Sequence, residues 1–169
     1  INMLLDTPLM HETLHLQHTS SLVFSMLLLV WCISIRTRII MPQTRNCLSA
    51  LAVCLMLLFI IRNCRWAFFA HSPLLDRFCW YLYYLPFVAS PMLTFHAAVR
   101  TGTEPDTPLP RLMYLLWGIA GAIAAAALTN DLHGFLLDFH PDGSYSHGWL
   151  YYTLVIFSVL LTLGAFAIL

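Results

Sequence analysis

Lysine is absent from this 169-residue sequence, and only 9% of its residues carry charge. Eight arginines balance eight acids, so no net charge draws the chain to nucleic acid or to a strongly anionic partner. That argues against a nucleic-acid role. No cysteine belongs to a CxxC pair or to zinc-ribbon spacing; Cys32, Cys47, Cys54, Cys64 and Cys79 stand singly in or beside apolar runs and read as small core residues. Of these, Cys64 and Cys79 fall near the face assigned below as external, where a disulfide between them could persist. What fills the sequence is apolar: 60% belongs to the hydrophobic set, more than a soluble domain of this size can hide. Lipid is the expected solvent for most of the chain, and the expected fold class is all-α, an integral membrane helix bundle.

A helix that crosses the hydrocarbon core needs about 20 mostly apolar residues. Five stretches approach that length, at 19–35, 47–70, 78–99, 112–128 and 149–169, and they predict one membrane-embedded domain spanning the whole chain. The second is interrupted by Arg62, Asn63 and Arg65 before apolar residues resume; it reads as one long helix with its polar residues near an interface. Helix breakers separate the runs: Met41-Pro42, Ser72-Pro73, and a stretch carrying Pro105, Pro108 and Pro110. The start lacks the basic region of a secretory signal, so the first run reads as a membrane helix. Both ends look cut, which predicts a longer parent protein.

Arginine placement sets the expected orientation, since positive charge in short loops favours the cytoplasmic side. The first loop carries Arg36, Arg38 and Arg45, and Arg100 and Arg111 flank the third. The fourth has Asp131, Asp138 and Asp142 and no cation, so it is expected outside, with the N-terminus outside and the end of the fifth helix inside. The second loop argues the other way with Arg62, Arg65 and Arg77. Packing of Arg62 and Arg65 within the bundle, paired with acids such as Asp131, would remove the conflict.

Three groups of residues could carry chemistry. Trp80, Tyr83, Tyr84 and Phe87 follow i, i+3, i+4, i+7 spacing on one face of the third helix, and Pro86 and Pro91 invite a kink there. Such a face could line a ligand pocket, or it could be an interfacial belt that binds nothing. The fourth helix ends in Asn130, Asp131 and His133; either Asn130 and Asp131 simply terminate the helix, with His140 to Gly143 an ordinary turn, or these groups gather as a polar site at the membrane edge. His11-Glu12-Thr13-Leu14-His15 is a literal HExxH string, the spacing that sets two zinc-binding imidazoles on one helical face beside a glutamate base. It precedes the first apolar run, and a polar glycine and proline turn at Asp142-Gly143 is ill-suited to supply a distant ligand from within the bilayer. No resident metal or other cofactor is therefore expected. Haem would need paired membrane histidines at matched depth, and only His96 lies well inside a predicted helix.

The order of Arg62-Asn63-Cys64-Arg65-Trp66, Trp80 to Phe87, Leu128-Thr129-Asn130-Asp131-Leu132-His133 and Tyr145-Ser146-His147-Gly148 to Tyr152 resembles the seven-helix membrane region at the N-terminus of some bacterial sensor histidine kinases and related receptors. The resemblance covers roughly residues 62 to 152. It implies an external N-terminus, seven helices of which about five are present here, a cytoplasmic output module, residence in the bacterial inner membrane, and no enzymatic activity in this part of the chain. It also implies sensing of a small molecule or of the membrane state, with Arg65, Trp80, Tyr84, Asn130, Asp131 and His133 as the sensing surface. Expected partners are the lipid bilayer, a small-molecule ligand and a second copy of the chain. Rival readings are a transporter or permease, a structural subunit whose alanine-rich fourth helix packs against a partner, and a membrane metalloprotease built on His11, Glu12 and His15.

Overall fold

The structure is a computed structural model that describes the backbone of residues 8–39, 42–65, 72–101, 103–104, 107–140 and 144–169, with side chains described within these ranges from residue 20 onward except at Pro73. Helix α1 runs Pro8–Arg38, α2 Pro42–Cys64, α3 Pro73–Arg100 and α4 Arg111–Leu128; a single turn, α5, spans Asn130–His133, and α6 spans Trp149–Ile168. Between α5 and α6 lie two three-residue strands, β1 (Leu137–Phe139) and β2 (Tyr145–His147), paired antiparallel. Five of the helices, all but α5, contain spans long and apolar enough to cross a membrane.

Proline opens three of these helices. Pro8, Pro42 and Pro73 each sit at a first helical position, where the missing N–H has no intrahelical partner to lose and φ is already helical. Pro110 precedes α4. The helix of α3 is unbroken across Pro86 and Pro91; each ring removes one rung of the hydrogen-bond ladder. Near the first, the Ser90 hydroxyl donates to the Pro86 carbonyl at 2.5 Å and the Cys54 thiol reaches the same oxygen at 3.8 Å.

Helix α3 is the hub, packed against α2, α4 and α6, whereas α1 packs on α2. The core is a seam of Tyr84, Val88 and Met92 from α3, Met113, Ala120, Ile123 and Ala127 from α4, and Leu150, Leu154 and Leu161 from α6, closed at one end by Leu136 and Leu137. Trp117 of α4 donates its indole N–H to His96 Nδ1 of α3 at 3.3 Å, so this histidine is tied into the helix interface. Outside that seam much of the described surface along the helices is apolar. Leu22, Phe24, Met26 and Leu27 of α1 and Leu160, Leu163 and Phe166 of α6 all face outward, with Met26 and Phe166 each 73% exposed.

The sequence reading and the structure part at the fourth loop. The chain is mostly helical, as expected, but the fourth loop, read as an ordinary turn or a polar site, also holds the one-turn α5 and a two-stranded antiparallel pair. Strands of three residues are too short to register as an alternating pattern, and the hairpin exists because neighbouring elements hold it. Helix α2 is regular through Cys64, and the expected continuation over 66–70 lies outside the described residues.

Candidate functional site

The end of the molecule that holds the hairpin gathers its polar and aromatic side chains. Helix α4 stops at Leu128; the Thr129 hydroxyl turns back onto the Ala125 carbonyl at 2.9 Å, and α5 adds one turn before Gly134, whose φ of 64° is the left-handed cap that ends it. The chain then folds back over Asn130. This asparagine is 2% exposed; its Oδ1 accepts from the backbone N–H groups of Leu136 and Leu137 at 2.8 and 3.3 Å, and its Nδ2 donates to the Leu137 carbonyl at 2.7 Å. His133 does the same on the other side. Its Nδ1 accepts from the Phe135 N–H at 3.0 Å, which leaves Nε2 to donate to the Ala126 carbonyl at 3.0 Å. Gly148 completes the return: its N–H donates to the Leu136 carbonyl at 2.9 Å, and a Cβ at this position would lie 2.0 Å from the Phe135 carbonyl oxygen.

The hairpin so fixed lies against the first turns of α3. Phe139 and Tyr145 are directly opposed across the strands. Tyr145 packs on Trp80 with ring centroids 5.1 Å apart, and Phe139 meets the edge of Tyr81 at 6.2 Å. Tyr81 is 2% exposed, and its hydroxyl donates to Asp131 at 2.5 Å, which links α3 to α5. At the other side of Trp80, the Arg65 guanidinium lies over the indole at 4.3 Å while its Nε donates to Asp76 at 2.6 Å. Arg77 stands over Phe139 at 4.9 Å. A cation held between a carboxylate and an indole face is attracted by both, and here it joins the end of α2 to the start of α3.

Of the six side chains expected to form a sensing surface, Arg65 and Trp80 are in direct contact. Asp131 joins them through a chain of contacts: Tyr81, Phe139, Tyr145, then Trp80. Tyr84 sits one turn deeper, buried, edge-on to Tyr151 of α6. Asn130 and His133 face their own backbone and act as a clamp. The expected pairing of Arg62 or Arg65 with Asp131 does not occur: Arg65 pairs with Asp76, the fourth residue of α3. Tyr81, Asp76, Phe139 and Tyr145 were not legible as site residues; Tyr81 lies off the i, i+3, i+4, i+7 stripe, Asp76 matters only through its pairing with Arg65, and Phe139 and Tyr145 act through the hairpin's position.

Cys64 and Cys79 are both free thiols. His11, Glu12 and His15 lie on the backbone of α1, but their side chains fall outside the described residues. Among the described residues, no three histidine, cysteine or acidic side chains gather as a metal site. Comparisons of the chain with protein-family models, with curated protein sequences and with solved structures return no match, so its own geometry carries the functional argument.

Proposed function

We propose that this chain is the membrane-embedded input module of a bacterial signal-transduction receptor of the histidine-kinase type, with the hairpin end outside the inner membrane. The outward-facing leucines and phenylalanines of α1 and α6 support insertion, since a soluble protein does not leave such faces to water. The hydroxyls agree: Ser25, Ser90, Thr94 and Thr162 donate to carbonyls of their own helices, which satisfies them without water. Of the second-loop arginines, Arg65 is paired with Asp76 and so counts for less against the orientation, whereas Arg77, over the Phe139 ring, and Arg62 keep their charge.

The observation that carries the sensory reading is the hairpin's seat on α3. Phe139 and Tyr145 bind the hairpin to Tyr81 and Trp80, and α3 packs against α2, α4 and α6 alike. A ligand or a change in the outer leaflet that binds the lifted and seated hairpin with different affinity shifts the population of α3 positions, and the shift is delivered at the inner ends of all its neighbours. The test is made in the native gene at its own locus. Trp80→Ala and Asp131→Ala, with membrane level checked by immunoblot, are expected to alter the same transcripts as deletion of the gene. A deletion strain with an unaltered transcript profile overturns the reading.

One observation favours transport as a second reading. A groove of about 510 Å³ opens between α2, α3 and α6 at mid-helix, with Ser90, Thr94, Ser158 and Thr162 among its otherwise mainly apolar lining residues; Ser158 Oγ is buried without a partner among the described residues. Impaired uptake of a solute in the deletion strain, with transcripts unaltered, would select it.

A further inference from the structure

At the end opposite the hairpin, where α1 hands over to α2, a cavity of about 280 Å³ is lined by Arg36, Arg45, Asn46 and Ser49. All four are polar, in a chain whose surface is otherwise largely apolar. Arg36 comes from the last turn of α1 and Arg45 from the first turn of α2, so two separate helices bring guanidinium groups to one space. Arg36 is exposed and Arg45 half-buried, and an anion between them would relieve whatever repulsion solvent leaves unscreened. None is supplied by the protein among the described residues, where the ion pair is Arg65 with Asp76 at the far end. Ser49 is one of the lining residues, and its Oγ is buried with no hydrogen-bond partner among the described residues, a costly state for a hydroxyl.

The lining is therefore rich in donors: two planar forks of N–H groups, an amide and an unspent hydroxyl. A tetrahedral oxyanion accepts on several oxygens at once and answers both forks and the hydroxyl together, and arginine forks match phosphate geometry. We propose that Arg36, Arg45, Asn46 and Ser49 form a binding site for a phosphate group. The cavity lies at the ends of the spans Ser20–Arg38 and Pro42–Cys64, at headgroup depth if the chain is inserted, so the phosphate belongs either to a lipid headgroup or to a soluble ligand.

The test uses the full chain, purified and delipidated in a phosphate-free detergent. It is titrated separately with inorganic phosphate, with phosphatidylglycerol and with the matching diacylglycerol, and occupancy is read by native mass spectrometry. Binding of phosphatidylglycerol but not diacylglycerol, without competition from inorganic phosphate, supports the site with a lipid source; binding of inorganic phosphate supports it with a soluble source. Arg45→Gln is expected to weaken whichever ligand binds by about tenfold. Ser49→Ala guards against a folding defect: it removes a hydroxyl that bonds nothing among the described residues, so thermal stability without ligand should hold or rise while affinity falls. Wild-type protein that binds neither phosphate-bearing probe above the diacylglycerol level overturns the proposal, as does unchanged affinity in Ser49→Ala and Arg45→Gln.

Discussion

Asn130 shows how much a single amide can organise. It holds two backbone N–H groups and one carbonyl of the returning chain, all out of contact with water, and its loss orphans all three. Asn130→Ala should destabilise the protein by about 3 kcal/mol, read as a lower midpoint in thermal unfolding in detergent, with faster amide exchange at Leu136 and Leu137. Gly148 is the second fixed point, where the obstruction is backbone and cannot swing aside. Gly148→Ala should lower stability by about 2 to 3 kcal/mol and lift the hairpin from α3, seen as weakened protection of residues 137–139 in hydrogen exchange. In the sequence Asn130 offered two readings, terminator or site. The deciding fact, that the chain doubles back over it, depends on Gly134 and Gly148 acting together and has no local signature.

Among the elements, the five long helices were legible because apolar runs of membrane length, bounded by proline, leave few other outcomes. Their ends were less so: α1 begins at Pro8 and α3 at Pro73, each earlier than the apolar run, since polar residues continue a helix once it is nucleated. The hairpin was not legible at all, because its stability comes from Trp80 and Tyr81 of α3 and not from its own strands. Helix α1 offers the sharpest element-level prediction. Leu27 is 58% exposed and lies mid-span, so Leu27→Asp should impair insertion at a cost of about 3 kcal/mol on the translocon scale. A glycosylation-reporter assay of α1 checks it; on a water-facing helix the same change would be neutral.

Taken whole, the molecule is polarised end to end. Arg36, Arg38, Arg45, Arg100 and Arg111 lie at the ends or starts of helices on one side, while the hairpin, Asp76 and Asp131 occupy the other. This polarity was readable from loop composition, but the meaning of Arg65 and Arg77 was not, because it depends on which carboxylate and which ring the folded chain sets beside them. The sensory account requires the hairpin outside and the arginine-rich end inside, across a bundle that lipid surrounds. The direct measurement is single-cysteine labelling in intact cells, with the five native cysteines replaced by alanine and one cysteine introduced at Ser146 or at Thr37, both exposed. A membrane-impermeant maleimide should label Ser146→Cys in intact cells and Thr37→Cys only after the membrane is opened. Labelling in the reverse order, or of both sites in intact cells, would contradict the account.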